Sequence, residues 1–157
     1  MSHDDSVKGS LSKFSEVMER REREEEKRRS GDRERRGKHE EEWRSICDEV
    51  LVPLFQEYEA GAALGLPENV TIRTRPRLET VSLYVEWPRG THVLEYSLDR
   101  AKGCVWRRGL PAHSPFTKDS VNAPVCLEFR DMSRERLEDS VNKVLSLIAS
   151  GRLDRRQ

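Results

Sequence analysis

The segment that decides the fold runs from Leu78 to Leu98 and reads LETVSLYVEWPRGTHVLEYSL. On both sides of the tripeptide Pro88-Arg89-Gly90, apolar residues occupy alternate positions, and a period of two places them on one face of a strand. These residues are Val81, Leu83, Val85, Trp87, Leu94, Tyr96 and Leu98. The tripeptide between the two runs has the composition of a turn. The segment therefore predicts a β-hairpin with one apolar face, joined by a loop of three or slightly more residues.

Other strands are predicted on both sides of this hairpin. Three segments alternate in the same way: Asn69–Arg75, Cys104–Arg108 and Pro124–Arg130. In the second of these, Cys104 and Trp106 share a face that we assign to the interior, which leaves Val105 and Arg107 on the open face. The stretch Gly109–Asn122 is polar and contains two prolines, and it is predicted to be a long loop.

Two amphipathic helices flank the predicted strands. The first, Glu40–Tyr58, has a wide apolar stripe at helical spacing that begins at Trp43. Pro53 lies inside this pattern, and because proline has no N–H to donate to residue 49, we expect a kink there or two helices that meet. The last helix covers about residues 133–150, with Ser133 as its N-cap.

The order of these elements predicts an α+β fold. We expect a two-layer sandwich in which an antiparallel meander sheet of four or five strands carries both helices on one face. The domain would span residues 39–151, between an N-terminal extension of residues 1–38 and a polar tail of residues 152–157. The opposite face of the sheet would meet water, as antiparallel sheets often do.

The N-terminal extension combines a short apolar stripe with a long charged run. We expect residues 1–9 to be disordered. Leu11, Phe14, Val17 and Met18 follow at helical spacing. Then come eleven consecutive charged residues, Glu19–Arg29, which predict a solvated helix that is frayed or broken at Ser30-Gly31-Asp32. Either the extension is a solubilising tail, or the stripe docks on a partner protein or a second copy while the charged helix acts as a spacer.

Charge is segregated within a formal net charge of zero over 157 residues. Asn69–Lys118 has nine basic and four acidic residues, whereas Trp43–Glu68 has one basic and five acidic residues. The zero total excludes a bulk electrostatic attraction to DNA or to an anionic membrane. The sheet side is therefore predicted to be basic and the first helix acidic.

The basic sheet has two interpretations. Arg73, Arg75 and Arg107, with Tyr84, are predicted to share the open face, and basic groups interleaved with an aromatic ring suit a single-stranded nucleic acid or RNA. Alternatively, these arginines pair with glutamates on neighbouring strands and the face is only solvated. We favour the second interpretation.

Motifs that carry chemistry are not found in the sequence, and no cofactor is expected. The run His39-Glu40-Glu41-Glu42-Trp43 begins like a zinc-protease HExxH motif but has Trp in place of the second His, so no metal site is predicted. A catalytic triad could be assembled from Asp99, His113 and Ser114 or Ser120, but any chain of this size offers such a combination. No catalytic residue is therefore assigned.

The cysteines and the hydropathy of the chain indicate in which cellular compartment the protein is expected. The chain has three cysteines, Cys47, Cys104 and Cys126, without a CxxC pair, and we expect reduced, mostly buried thiols in a cytoplasmic protein. The N-terminus lacks the apolar core of a signal peptide, and no run of about 18 apolar residues exists that would span a membrane.

These features favour a protein-interaction or adaptor module without enzymatic activity. In this hypothesis the N-terminal helix mediates docking on a protein or self-association as a homodimer. The alternative is nucleic-acid binding through the open face of the sheet. A third hypothesis is a small-ligand pocket or an enzyme between sheet and helices, gated by the loop of residues 109–122.

Overall fold

The computed structural model describes residues 3–110 and 123–154. The chain divides into two units, Met1–Lys38 and His39–Gln157. The elements, in chain order, are α1 (His3–Ile46), a π-helical turn (Cys47–Leu51), α2 (Val52–Gly65), β1 (Thr71–Pro76), β2 (Thr80–Trp87), β3 (Gly90–Asp99), β4 (Cys104–Leu110), β5 (Val125–Leu127), a 3-10 turn (Phe129–Asp131) and α3 (Arg134–Ala149). The predicted α+β class is confirmed.

The sheet has five antiparallel strands in the order β1-β2-β3-β4-β5. The hairpin of β2 and β3 is tighter than predicted, because Trp87 pairs directly with Gly90 and only Pro88 and Arg89 form the loop. A Cβ atom at Gly90 would lie 2.8 Å from the Trp87 indole ring. A larger residue where β3 begins would therefore force the Trp87 ring to shift.

The core lies between one face of the sheet and the helices. The alternating residues of the hairpin, such as Leu83 and Tyr96, are buried in one cluster with residues of α2 and α3. Within this cluster the rings of Phe55 and Tyr96 pack with centroids 6.0 Å apart. The helix residues of the cluster are Trp43, Cys47, Leu51, Leu54, Phe55, Ala62, Leu137, Val141 and Val144. The predicted packing of both apolar stripes on the same side of one sheet is confirmed.

The junction before α2 shows how the helix accommodates Pro53. The backbone widens into the π-helical turn Cys47–Leu51, and Pro53 then lies in the first turn of α2. A proline ring inside a regular α-helix clashes with the carbonyl four residues earlier, and a π-turn is one of the few ways to relieve that clash. The predicted disruption at Pro53 is therefore a local widening, and Leu51 and Leu54 remain buried on one stripe.

The register of β4 corrects the predicted face of this strand. Leu98 pairs with Val105 and Tyr96 pairs with Arg107, so even-numbered inward residues of β3 face odd-numbered residues of β4. Val105 and Arg107 are therefore inward residues, and the assignment of Cys104 and Trp106 to the interior was wrong. The turn between the strands decides this parity, and Gly103 closes it with a φ of 67°.

The first helix is longer than predicted. α1 includes residues 3–9, which were expected to be disordered, and continues through Ser30-Gly31-Asp32 without a break. One glycine in a helix costs only about 1 kcal/mol relative to alanine, and the strong helix formers on both sides outweigh it. None of the helices within residues 3–110 and 123–154 combines the length and apolar character needed to cross a membrane.

The C-terminal elements agree with the predicted pattern except at their ends. β5 is shorter than predicted, because Phe129 already belongs to a 3-10 turn. The Ser133 hydroxyl accepts a hydrogen bond from the Arg136 backbone N–H at 3.4 Å, which confirms Ser133 as the N-cap. After α3, Asp154 accepts a hydrogen bond from the Trp87 indole N–H at 2.9 Å. Asp154, in the predicted polar tail, is thus hydrogen-bonded to the hairpin.

Candidate functional site

The predicted apolar stripe lies on α1, and all four of its residues are exposed. Leu11 and Phe14 expose 61% and 64% of their surface, and Val17 and Met18 expose 50% and 40%. Because α1 begins at His3, Val7 belongs to the same helix, and it is 57% exposed. We call these five residues the N-terminal stripe. Sequence reasoning missed Val7 because it placed residues 1–9 outside the helix.

The spacing within this stripe resembles the seam of a coiled coil. Val7, Leu11, Phe14 and Met18 follow one another at intervals of four, three and four residues. This alternation keeps side chains on one narrow line along a helix and is the pattern of two-helix seams. The same line continues to Asp4 on one side and to Arg21 on the other. The apolar seam is therefore short and has opposite charges at its two ends.

The charged segment after the stripe forms only exposed ion pairs. Arg29 and Glu25 are 3.8 Å apart, and Arg33 and Glu26 are 3.5 Å apart, with most of each side chain in water. Exposed pairs of this kind contribute little free energy each. The segment is a solvated helix, as predicted.

The open face of the sheet brings together three of the four residues predicted for nucleic-acid binding. Arg73 and Tyr84 are direct cross-strand partners. The Arg75 guanidinium lies over the Tyr84 ring, 4.4 Å from its centroid, and so covers one side of that aromatic surface. Arg107 does not belong to this face, because it pairs with the inward residue Tyr96. The predicted grouping of Arg107 with these residues is therefore corrected.

The rest of the open face is balanced in charge. Arg108 takes the place of Arg107 on this side, and its guanidinium is 2.7 Å from the Glu95 carboxylate. Asp99 accepts a hydrogen bond from the Trp106 indole N–H at 3.1 Å, and the Lys102 ammonium lies 5.5 Å from the centroid of the same ring. The cations of this face thus have acidic or aromatic neighbours, which favours the interpretation of a solvated face over a phosphate-binding one.

The inward face holds a polar cluster that sequence reasoning missed. The Arg107 guanidinium donates a hydrogen bond to the Ser140 hydroxyl of α3 at 3.1 Å. Tyr96 is the neighbour of Arg107 on β3, and its hydroxyl is fully buried. The three side chains line a cavity of about 360 Å³ between the sheet and α3. The turn between β3 and β4 determines which face of the sheet Arg107 occupies. The length of that turn is therefore the sequence signal that predicts this cluster.

The thiols and histidines lack the arrangement of a reactive or metal-binding site. Burial raises the pKa of the Cys47 and Cys104 thiols to about 12, which keeps both protonated and poorly nucleophilic. Cys47 and Cys104 are buried, in line with the expectation of mostly buried thiols, whereas Cys126 is exposed and pairs with Trp106 on the open face. Among residues 3–110 and 123–154, no three His, Cys, Asp or Glu side chains are grouped to hold a metal ion.

The remaining residues weighed for chemistry have structural partners or lie outside the described residues. The His39 ring, at the start of the HExxH-like run, has its Nδ1 atom 2.8 Å from the Arg100 carbonyl oxygen. The catalytic triad considered from the sequence cannot be evaluated, because His113, Ser114 and Ser120 are outside the described residues.

Comparison with known proteins returns no match: no family model, no curated protein and no solved structure is similar to this chain. Function is therefore inferred from the geometry of the N-terminal stripe and of the inward polar cluster.

Proposed function

We propose that this chain is a protein-interaction module that self-associates through its N-terminal stripe, with two copies of α1 pairing in antiparallel orientation. The observation that supports this most directly is the exposure of five large apolar side chains within twelve residues of one helix, Val7–Met18. Contiguous apolar surface of this kind is typical of interaction sites. A second copy offers a partner of identical length and spacing, as symmetric dimers require.

The antiparallel orientation follows from the charges at the ends of the seam. When two copies are centred between Leu11 and Phe14, each Leu11 faces Phe14 of the other copy, and each Val7 faces Met18. The same register brings Asp4 of one copy opposite Arg21 of the other, at both ends of the pairing segment. In a parallel pair, Asp4 would face Asp4 and Arg21 would face Arg21, which is unfavourable for like charges.

The length of the pairing segment limits the strength of the dimer. Residues 4–21 cover about 27 Å of helix, at about 1.5 Å per residue. Ten half-buried apolar side chains contribute roughly 1 kcal/mol each, about half of the value for full burial. Association itself costs roughly 4–15 kcal/mol. At the low end of that cost about 6 kcal/mol remains, so we expect a weak dimer with a dissociation constant of roughly tens of micromolar or weaker.

The experiment is sedimentation velocity of the full chain, at concentrations up to about 0.5 mM. We expect the wild-type sedimentation coefficient to rise with concentration and Phe14→Glu to remain monomeric throughout. Ser12→Glu is the matched control, because it adds the same charge to the same exposed helix away from the seam. A wild-type chain that stays monomeric at the highest concentration contradicts self-association, and so does dimerisation of Phe14→Glu with unchanged affinity.

A charge exchange tests the orientation separately. Asp4→Arg alone should weaken an antiparallel dimer, because the introduced arginine would lie opposite Arg21 of the other copy. The double variant Asp4→Arg, Arg21→Asp should restore the affinity. A parallel dimer would keep like charges opposite each other in all three chains, so equal affinities would contradict the antiparallel arrangement.

We also propose a cytoplasmic location. Cys47, Cys104 and Cys126 are all unpaired thiols, and thiols stay reduced in that compartment. Alkylation in intact cells before lysis should modify the exposed Cys126 without prior reduction. A disulfide or mixed disulfide at Cys126 would contradict this location.

A further inference from the structure

The cavity between the sheet and α3 has a polar end built from buried groups. Tyr96 is 0% exposed, and its hydroxyl lies near the Ser140 hydroxyl but forms no hydrogen bond of full geometry among residues 3–110 and 123–154. Beside it, the Nε atom of Arg107 is likewise buried, and no group in the described part of the chain accepts its proton. A buried donor left without an acceptor costs about 1–3 kcal/mol. These two donors therefore lack a satisfied acceptor within residues 3–110 and 123–154, at one end of a cavity that a ligand could enter.

The Arg107 side chain is held in a fixed orientation by hydrogen bonds to α3. One of its terminal nitrogens donates to the Ser140 hydroxyl at 3.1 Å, and Ser140 in turn donates to the Arg136 carbonyl oxygen at 3.2 Å. Ser140 is itself buried. The guanidinium is thus oriented by α3 while its Nε proton stays available. An arginine fixed in this way can bind a planar or tetrahedral oxyanion without first losing rotamer freedom.

The charges around the mouth of the cavity favour an anion. Its lining contains three cations, Arg107, Arg136 and Lys143, and two carboxylates, Asp131 and Asp139. Asp131 and Arg136 form an ion pair with each other, and Asp131 also accepts a hydrogen bond from the Glu128 backbone N–H at 3.3 Å. Arg107, Lys143 and Asp139 then remain, which leaves a net of one positive charge in the lining. Lys143, on the exposed side of α3, adds a solvated cation at the entrance.

The remaining wall of the cavity is apolar. Leu127 from β5 and Leu137 from α3 line it beside the polar end. The volume of about 360 Å³ exceeds what a single inorganic ion fills and lies at the small end of the range for organic ligands. The cavity therefore has a charged end and an apolar wall, which is the combination that orients a small amphiphilic acid.

We propose that this cavity binds a small organic molecule that carries one oxyanion group, with the oxyanion accepting hydrogen bonds from Arg107 and Tyr96 and the apolar part lying against Leu127 and Leu137. The oxyanion is a carboxylate or a phosphate monoester, and both present several acceptor oxygens to the two donors. This site is independent of the N-terminal stripe, since it uses only residues of the unit His39–Gln157.

Titration calorimetry of the full chain with four probes tests the proposal. Benzoate and phenyl phosphate combine an oxyanion with an apolar ring, benzamide has the ring without the charge, and inorganic phosphate has the charge without the ring. We expect saturable binding of benzoate or phenyl phosphate, and at least tenfold weaker binding of benzamide and inorganic phosphate. The stronger of the two aromatic probes identifies the oxyanion as a carboxylate or a phosphate. If neither saturates at millimolar concentration, the proposal is wrong.

Two variants locate the binding at the proposed donors. Arg107→Met keeps much of the length of the side chain and removes the charge, and we expect it to weaken binding by about tenfold or more. Tyr96→Phe keeps the buried ring, removes only the hydroxyl, and should weaken binding by several fold. Arg73→Met on the open face of the sheet is the matched control and should bind as the wild type does.

The variants also separate a binding role from a structural one. Tyr96→Phe keeps the buried ring and removes a hydroxyl whose nearest polar neighbour is the Ser140 hydroxyl, so it should fold with a stability close to that of the wild type. It therefore remains informative if Arg107→Met fails to fold. Unchanged affinity of folded Tyr96→Phe for benzoate and phenyl phosphate would overturn the assignment, as would equal weakening by Arg73→Met.

Discussion

His92 should make the domain lose stability in mild acid. The side chain lies on the inward face of β3, opposite Val85 of β2, and is only 1% exposed. Its Nε2 atom is buried and meets no acceptor or donor within the described residues. Burial lowers the pKa of this imidazole from 6.5 to about 4. The folded domain therefore holds a neutral histidine where the unfolded chain takes up a proton.

The sign and size of the effect follow from these two pKa values. Above pH 6.5 neither state is protonated at His92, and the residue makes no pH-dependent contribution. Between pH 6.5 and about pH 4 the unfolded state binds more protons than the folded state, so stability falls as the pH falls. At about 1.4 kcal/mol for each pH unit, the loss reaches about 3 kcal/mol near pH 4. This is a large part of the 5–15 kcal/mol that is typical for a whole domain.

The assay is urea denaturation followed by tryptophan fluorescence at several pH values between 7 and 4. Carboxylates also contribute to acid unfolding, so the informative quantity is the difference in unfolding free energy between the wild type and His92→Leu. We expect this difference to change by about 3 kcal/mol in favour of the variant on going from pH 7 to pH 4. His3→Gln, on the exposed first turn of α1, is the control and should follow the wild type. Parallel curves for wild type and His92→Leu would refute the reasoning.

Three further substitutions test local features of the structure. Gly103→Ala should destabilise the domain by about 1–3 kcal/mol, because Gly103 has a φ of 67° and a Cβ atom there would lie 2.4 Å from the His39 ring. In a double-mutant cycle, His39→Ala should recover the part of this loss that comes from the contact with the ring. Trp43→Phe should cost about 1 kcal/mol in urea denaturation by removing the hydrogen bond from the indole N–H to the Leu78 carbonyl, which is 3.1 Å long. Gly31→Ala should stabilise α1 by about 1 kcal/mol, since the added Cβ meets no atom within 4 Å, and should keep its helical circular dichroism signal to higher temperature. A clear gain of helicity at low temperature would contradict a continuous α1, because the native helix would then be broken at Gly31.

The sheet and its helices could be predicted because their signals are local. Alternation in the hairpin and the helical stripe that begins at Trp43 each depend on spacing within one element, and the apolar residues that they select lie in or against the core. The buried His92 on the same hairpin face was not predicted. The continuity of α1 was harder to predict, because Ser30-Gly31-Asp32 in its middle has the composition of a local break. The helix formers on either side determine the outcome there, and their cooperative effect is not visible at the three residues themselves.

The face of β4 could not be predicted from β4 alone. Cys104 and Trp106 on one side and Val105 on the other are all apolar, so the alternation within the strand does not choose between its faces. The choice is made by the number of residues in the turn after Asp99, which sets the strand pairing. A shift of one residue there would reverse every side chain of the strand. For this reason the error extended to the candidate site and placed Arg107 on the wrong face.

The corrected position of Arg107 changes the interpretation of both faces of the sheet. On the open face, the cation next to Glu95 is Arg108, and their ion pair leaves less positive charge for a phosphate backbone than the predicted cluster implied. On the inward face, Arg107 stands between Tyr96 and Val125, where only apolar packing would be needed if the position were purely structural. Arg107 is only partly buried, but its Nε atom is fully buried without an acceptor among the described residues, and such a donor is costly. Ser140 supplies one neutral acceptor, and it binds a different nitrogen of the guanidinium. A binding role for the guanidinium accounts for this cost, because an oxyanion in the cavity would supply both the missing acceptor and the opposite charge.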